Sequence, residues 1–232
     1  MALVSGALSG LLLVPVVLEW GPLMAVDRAV ADASHASAVR NPSLTRVNRV
    51  LSDWVWDPWT MRALVACSAV WLWWRGLRRA VLWLAVVTAL GACVQQSMKV
   101  LVGRDRPFWP DPVDSADYAA FPSGHAMTAT VTCALLLWLV AGRHRGAPDL
   151  GPVQVTRAWS RRILAVLALV SVLGVGLTRV YLGVHWASDV LAGWLLGACL
   201  AAVALLAYPR VAGPGSRSCR PGRAIPRVAR SG

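Results

Sequence analysis

Two residues of this chain have the types and spacing of a nucleophile and the group that orients it. His185 and Asp189 are four residues apart, so on a helix they share one face. The carboxylate can accept a hydrogen bond from one imidazole nitrogen, which fixes the tautomer and leaves the other nitrogen free as a nucleophile. The alternative is that Asp189 only caps a helix, since aspartate also satisfies free helix N–H groups.

A second histidine, His125, ends a turn of small polar residues that opens directly into an apolar run. In this turn Ser123 offers a hydroxyl donor, and Gly124 lets the backbone approach a ligand. The N–H groups and the positive dipole end of the helix that follows favour a bound anion such as phosphate. On its own, however, a histidine at a membrane interface is most often just an interfacial polar residue.

Three cations could complete an anion site. Lys99 stands shortly before Gly103, which predicts a helix C-cap. Pro107 then disfavours helix at Arg106, so the chain turns here and can bring Lys99 and Arg106 together. Lysine supplies a point charge and arginine a planar fork, a combination suited to phosphate oxygens, and Arg179 ends a later apolar run. Taken alone, the first two fit better with a snorkelling lysine at a helix end and an ordinary basic loop.

The composition indicates that membrane helices position these residues. Hydrophobic residues make up 57% of the 232-residue chain and the mean hydropathy is +0.56, too high for an ordinary soluble domain. The net charge of +12 would suit a nucleic-acid partner, but the basic residues flank apolar runs, so we expect no nucleic acid. Four of the five cysteines lie inside apolar runs, which implies no disulfide framework.

Six apolar runs are long enough to cross about 30 Å of hydrocarbon, allowing for ends that snorkel. We therefore expect an all-α integral membrane protein with a bundle of six transmembrane helices, in which the first run is retained and is not a cleaved signal peptide. The chain has no repeat of fixed period, which argues against a duplicated transporter. The runs are Ala2 to Leu18, Trp59 to Trp74, Ala80 to Met98, Ala126 to Ala141, Ile163 to Leu177 and Val190 to Tyr208.

Arginine placement predicts which way the bundle faces. Strongly basic segments lie between the second and third runs, between the fourth and fifth, and after the sixth, whereas the other connections mix signs. Basic connections face the cytoplasm, so both termini are predicted to be cytoplasmic and both histidines extracytoplasmic. Residues 1–208 then form one domain. Residues 209–232 form a basic tail, which we expect to be disordered and able to contact anionic lipid headgroups.

The first outer connection carries two helix-like periodicities, one from Leu23 to Ala33 and one from Leu44 to Trp54. We interpret them as short surface helices that lie on the bilayer. The tryptophans at both ends of the second run are interpreted as interfacial anchors, not as a ligand cage. In the next outer connection Asp111, Asp114 and Asp117 lack regular ligand spacing, so we expect a solvated acidic loop and no metal site.

The order and spacing of the polar groups resemble a known family. The pattern is Lys99, six residues, Arg106-Pro107; then Pro122-Ser123-Gly124-His125; then Thr178-Arg179, five residues, His185, three residues and Asp189. It is similar to that of the type 2 phosphatidic acid phosphatase (PAP2) superfamily, whose membrane members are lipid phosphatases and whose soluble relatives include vanadium haloperoxidases. Thr178 stands where serine is common in that family, which keeps the hydroxyl.

The resemblance implies a role for each of these side chains. His185 would attack phosphorus and form a phosphohistidine, with Asp189 orienting it and stabilising its positive charge. His125 would protonate the departing oxygen and then help water to attack the intermediate. This scheme needs no metal or other cofactor. The groups implied to hold the phosphate oxygens are Lys99, Arg106, Ser123, the Gly124 N–H and Arg179.

The expected function is the removal of phosphate from a lipid phosphate or diphosphate at the outer leaflet of the plasma membrane. The substrate class includes phosphatidic acid, phosphatidylglycerol phosphate and polyprenyl diphosphate; the motifs choose neither among these lipids nor among oligomeric states. An alternative is a non-catalytic protein that binds or flips lipid phosphates, although binding alone needs no oriented nucleophile. A haloperoxidase is disfavoured because those relatives are soluble.

Overall fold

The described residues form helices, most of them joined by short connections, and a longer loop at residues 103–123. The computed structural model describes residues 2–141 and 154–212, with the backbone alone described for residues 154–158 and 209–212. All regular elements in these ranges are helical, which confirms the all-α prediction. In chain order they are α1 (Ala2–Val17), α2 (Gly21–Arg40), α3 (Pro42–Val50), a π-helical turn (Leu51–Val55), α4 (Pro58–Trp74), α5 (Arg78–Val102), α6 (Gly124–Val140), α7 (Gln154–Tyr181) and α8 (Ala187–Ala212).

The six apolar runs lie on helices α1, α4, α5, α6, α7 and α8. Three helical segments are long and apolar enough to cross a membrane: Arg78–Val102, Trp159–Tyr181 and Ala187–Tyr208. Helices α1 and α2 qualify only as a pair, with a bend of 91° between them, and α6 is a shorter apolar helix. The described residues therefore form a membrane protein with several spans, while the count of six stays a prediction.

Local sequence signals decide where several helices begin and end. Gly103 ends α5 in the left-handed conformation, with φ of 61°, and its N–H donates to the Lys99 carbonyl at 3.0 Å, as predicted for a helix C-cap. At the start of α4, the Asp57 side chain accepts a hydrogen bond from the Trp59 N–H at 2.7 Å. Gly103 matters for function, because it turns the chain from Lys99 into the loop that carries Arg106.

Helix α6 forms the centre of the bundle and packs against α4, α5, α7 and α8. Small residues let α8 approach it closely. A Cβ atom added to Gly193 would lie 2.6 Å from the Ser123 carbonyl oxygen, and one added to Gly197 would lie 2.9 Å from the Thr130 Cβ. This close packing places the start of α6 directly beside the first turns of α8.

The two helices predicted in the first outer connection are present as α2 and α3. Val26 and Val30 of α2 are exposed, as expected of a side that faces lipid. The opposite side of α2 packs on α7 and α8, and it buries Asp27 and His35. Periodicity does not reveal this inward side, because its residues are small or polar and do not form an apolar stripe.

Most tryptophans of the second run are exposed, as membrane anchors would be. Trp56 differs, because it packs over Gly174 of α7, where an added Cβ would lie 2.4 Å from its ring. The predicted domain boundary at residue 208 falls within α8, whose backbone continues to Ala212. The remainder of the predicted tail, 213–232, and the basic stretch 142–153 lie outside the described residues.

Candidate active site

The structure brings the predicted site residues together at one end of the bundle. The Ser123 N–H donates to the Asp189 carbonyl at 2.9 Å, which joins the start of α6 to α8. His125 lies within electrostatic reach of four of the other side chains, which are Arg179, His185, Arg106 and Lys99. The residues come from the end of α5 (Lys99), the α5–α6 loop (Arg106), the start of α6 (Ser123, Gly124, His125), the end of α7 (Arg179), the α7–α8 connection (His185) and the first turn of α8 (Asp189).

His185 is held by Asp189, as the spacing predicts, although His185 precedes α8 and is not part of the helix. Its Nδ1 lies 3.4 Å from Asp189 Oδ2, and both side chains are buried. The same carboxylate oxygen accepts a hydrogen bond from the Trp186 N–H at 2.9 Å. Asp189 therefore contacts the histidine and also binds a backbone N–H at the start of the helix, so its contacts are not those of a helix cap alone.

The other imidazole nitrogen points into the cation cluster. Nε2 of His185 lies 3.2 Å from Nη1 of Arg106, which can only donate, so Nε2 accepts and Nδ1 carries the proton toward Asp189. Burial lowers the pKa of His185 well below its ordinary value, and the charges of Arg106, Arg179 and Lys99 lower it further. The imidazole is therefore neutral at pH 7, with a lone pair on the nitrogen that faces the cations.

Backbone carbonyls hold two of the cations in place. Arg106 donates from Nη1 to the Val184 carbonyl at 2.5 Å and from Nε to the Tyr118 carbonyl at 2.8 Å. Burial, followed by the nearby charge of Arg179, lowers the pKa of Arg106 to about 10, so it stays charged at pH 7. The Lys99 ammonium donates to the Ala119 carbonyl. Both cations are thus tied to the backbone around the site.

Arg179 is buried and lies between a hydroxyl and two carboxylates. Its Nη1 donates to Ser52 Oγ at 2.8 Å and lies 3.7 Å from Asp114 Oδ2 and 3.9 Å from Asp53 Oδ1. Burial and the neighbouring charge of Asp114 raise the pKa of Asp53. Two acidic side chains, one from the π-helical turn and one from the α5–α6 loop, therefore offset the charge of this arginine.

The acidic loop is not simply solvated, and the prediction is wrong for Asp114. Its side chain is only 16% exposed because it turns inward to Arg179. Asp111 is 67% exposed but binds His35 Nε2 at 3.1 Å, and the His35 ring stacks on Trp109 at 4.0 Å. Within residues 2–141 and 154–212, there is no group of three or more His, Cys, Asp or Glu side chains that could hold a metal ion.

The turn at the start of α6 is packed tightly and holds an unpaired hydroxyl. A Cβ added to Gly124 would lie 2.5 Å from Gln95 Nε2, so the Gln95 side chain occupies the space that any larger residue needs. Ser123 is fully buried, and across the described residues neither its Oγ nor Nε of Arg179 has a hydrogen-bond partner. Buried polar atoms of this kind gain most when an anion supplies the missing bond.

Sequence reasoning missed Arg104 and Asp27. Arg104 donates to Asp189 Oδ1 at 2.6 Å and to Asp27 Oδ2 at 2.8 Å, so it joins α2 to the histidine's carboxylate. One available signal was the first arginine in Gly103-Arg104-Asp105-Arg106-Pro107, which places another cation two residues before Arg106. Another was Asp27 itself, which directly follows Ala25 and Val26 in α2, since an acid beside apolar residues is costly without a partner.

The chain is similar to proteins of a known family. The family model described as the PAP2 superfamily matches residues 80–212, more than half of the chain and all of the predicted site. The chain belongs to the PAP2 superfamily. Among the relatives of this PAP2 protein, the decaprenylphosphoryl-5-phosphoribose phosphatase of Mycobacterium tuberculosis is 32% identical over 184 residues, which cover 75% of this chain and 86% of the relative.

An Escherichia coli (strain K12) protein described as a candidate undecaprenyl-diphosphatase is 34% identical over 153 residues. That match covers 60% of this PAP2 protein and 65% of the length of the relative. The crystal structure of a transmembrane PAP2-type phosphatidylglycerolphosphate phosphatase from Bacillus subtilis superposes with a TM-score of 0.74 at 21% identity. The superposition covers 88% of this chain and 93% of the Bacillus subtilis chain, so the two proteins share a fold.

Proposed function

We propose that this PAP2 protein is a membrane phosphatase that hydrolyses a lipid phosphate or diphosphate through a phosphohistidine. The observation that carries the proposal is the setting of His185. Asp189 holds Nδ1, and Nε2 faces Arg106 within a cluster that also includes Lys99 and Arg179. A site that only bound an anion would need the cations but not the carboxylate behind the imidazole.

The proposed reaction has two steps. In the first, Nε2 of His185 attacks phosphorus, the bond from phosphorus to the leaving oxygen breaks, and His125 gives that oxygen a proton. In the second, His125 takes a proton from water as the water attacks the phosphohistidine, which releases inorganic phosphate and restores the neutral imidazole.

The phosphate-binding groups act while charge builds on the equatorial oxygens. Lys99, Arg106 and Arg179 supply positive charge, Ser123 Oγ supplies a hydroxyl donor and the Gly124 N–H lies at the positive end of α6. Asp189 stabilises the positive charge that His185 gains on phosphorylation. These roles involve this chain's own side chains and require no metal.

The names of the relatives support a lipid substrate. The relatives from Escherichia coli and Mycobacterium tuberculosis are named for polyprenyl substrates, and the Bacillus subtilis protein for phosphatidylglycerolphosphate. Polyprenyl diphosphates are therefore the substrate class to test first. Release of phosphate from a diphosphate uses the same attack on the terminal phosphorus.

The proposal includes six spans, an extracytoplasmic site and cytoplasmic termini in the plasma membrane. The support is the alternation of arginine-rich and mixed-sign connections. A membrane-impermeant thiol reagent should label Asp117→Cys in intact cells, because this exposed residue lies in the α5–α6 loop. It should not label Arg75→Cys, at the opposite end of α5. The reverse pattern would invert the topology.

The decisive assay is phosphate release by purified protein in detergent. Phosphatidic acid, phosphatidylglycerol phosphate and polyprenyl diphosphate are compared, with and without EDTA. We expect release from at least one lipid in EDTA, and none with His185→Ala. Equal release by wild type and His185→Ala, or complete loss in EDTA, would overturn the mechanism. Vanadate-sensitive binding of the headgroup without turnover would favour the lipid-binding alternative.

A further inference from the structure

Arg104 lies behind the proposed catalytic pair and connects three elements. Its Nη1 donates to Asp189 Oδ1 at 2.6 Å and to Ser188 Oγ at 2.7 Å, and its Nη2 donates to Asp27 Oδ2 at 2.8 Å. The guanidinium carbon also lies 5.5 Å from the centre of the Trp186 ring. The side chain is only 10% exposed, so these contacts form away from bulk water.

Asp27 completes this group from α2. Its Oδ1 accepts the Ser188 N–H at 3.0 Å, and its Oδ2 accepts the Ser188 hydroxyl at 2.5 Å. The Asp27 side chain is 2% exposed, and its nearest cation is Arg104. One carboxylate therefore fixes both the arginine and the first turn of α8, on which Asp189 lies.

The contacts of Asp189 show why the arginine matters. Oδ2 binds the Trp186 N–H and faces His185, while Oδ1 binds Arg104. With both oxygens held, the carboxylate cannot rotate about its Cβ–Cγ bond. The separation of 3.4 Å between Oδ2 and the imidazole is already long for a hydrogen bond, so a small rotation would release the imidazole.

The charges in this group also balance in a specific way. Arg104 alone beside Asp189 would neutralise the carboxylate that has to stabilise a positively charged His185. Asp27 supplies the second negative charge, so the three groups carry one net negative charge between them. That charge remains available when the imidazole becomes phosphorylated.

We infer that Arg104 and Asp27 are positioning residues, which hold the Asp189 carboxylate in its orientation toward His185 and leave its charge for the phosphorylated imidazole. The inference rests on the proposed function, because positioning is defined for that reaction. Neither residue contacts the phosphate-binding cations, so their effect falls on the chemical step and not on anion binding.

The first test separates kcat from KM. For Arg104→Gln and Asp27→Asn we expect kcat to fall about 10- to 100-fold, as for a misplaced reacting group, with KM changed less than about three-fold. Inhibition by vanadate should be unchanged. Arg104→Lys, which keeps a charge without the fork, should retain more activity than Arg104→Gln. The double variant should lose no more than Arg104→Gln alone.

The matched controls are two exposed residues. Arg28→Gln removes a positive charge on α2, one residue after Asp27, and Asp105→Asn removes a negative charge one residue after Arg104. Both should keep kcat within about two-fold, as expected for surface changes. The midpoint of thermal unfolding in detergent is measured for every variant. A variant whose loss of kcat comes with a lower midpoint has a structural effect.

The second test is chemical rescue. Arg104 and Asp27 line a cavity of about 480 Å³, which is large enough for guanidinium to reach the place of the missing side chain. Millimolar guanidinium should raise kcat of Arg104→Ala, whereas urea, which is neutral and of similar shape, should not. Guanidinium should leave kcat of His185→Ala at its background level.

Distinct outcomes overturn the two proposals. An active wild type with unchanged kcat in Arg104→Gln and Asp27→Asn overturns the positioning role and leaves the phosphatase intact. Loss of vanadate inhibition together with activity overturns it as well, since that result identifies a collapsed site. Equal rescue by urea and guanidinium also overturns it, since it shows that the positive charge of Arg104 is not required. A wild type that hydrolyses no lipid phosphate overturns the proposed function and the positioning role with it.

Discussion

The two sides of the His185 imidazole differ in how fully their polar groups are paired. On the Nδ1 side, Arg104 donates to both Asp189 and Asp27, Asp189 faces His185, and Asp27 accepts from Ser188, at distances of 2.5 to 3.4 Å. The other side comprises the proposed phosphate-binding groups. In the part of the chain that the structure describes, two of their atoms, Ser123 Oγ and Arg179 Nε, are buried without a hydrogen-bond partner.

This difference separates positioning from anion binding. A fully paired group is already stable and can gain little from a ligand, so it holds an orientation. Buried donors without partners raise the free energy of the folded protein, and an anion that binds them recovers that cost. The comparison predicts that substitutions on the two sides will fail in different ways.

The largest expected effect is at the residue between the two sides. His185→Asn should lower kcat by more than about 1,000-fold because no nucleophile remains. Labelled phosphoenzyme, trapped by rapid denaturation, should form with wild type and be missing from the variant. The matched control is His35→Gln, another buried histidine, which binds Asp111 and stacks on Trp109. A comparable loss in this control would point to a folding effect.

Substitutions on the unpaired side should weaken anion binding. Ser123→Ala should lower kcat/KM about 10-fold and weaken vanadate inhibition, because a donor to the equatorial oxygens is lost. The thermal midpoint should stay the same or rise, since the variant removes a buried hydroxyl that has no partner. Ser97→Ala, an exposed serine on α5, is the control. A clear fall in the midpoint would contradict the division between the two sides.

The pH dependence of stability should report on the buried imidazole. Burial holds the pKa of His185 well below its ordinary value, so in acid the unfolded chain binds a proton that the folded protein does not. Stability is therefore fully present above about pH 6.5 and falls as the pH drops below that value, by up to about 1.4 kcal/mol per pH unit for this group. The thermal midpoint of wild type should fall more between about pH 7 and about pH 5 than that of His185→Gln. Parallel curves would contradict the assignment.

The smallest effect is expected at the acidic loop. Asp114 lies 3.7 Å from Arg179, where its charge opposes that of an incoming phosphate. Asp114→Asn should therefore lower KM about two- to five-fold, in line with one partly exposed charge, while kcat changes little. Asp117→Asn, an exposed carboxylate in the same loop, should leave KM unchanged. A higher KM in Asp114→Asn would show that this carboxylate supports the arginine's position instead of competing with substrate.

Several features could be predicted because they are local. Gly103 ends α5 as its backbone freedom suggests, and the four-residue spacing of His185 and Asp189 brings the two side chains together. The apolar runs predicted helices at the right places, since about 20 apolar residues have few other stable arrangements in a membrane. Apolar length did not establish the number of spans, because α6 is short and α1 bends into α2.

The sequence alone determined the types of the site residues, their order and the helices that carry them, because those depend on spacing within short segments. Only the tertiary structure decided that Asp27 meets Arg104, 77 residues away, and Ser188, 161 residues away. It also decided that Asp114 turns inward to Arg179. Contacts of this kind follow from how helices pack, and the pairing of two buried charges leaves no periodic signal in either segment.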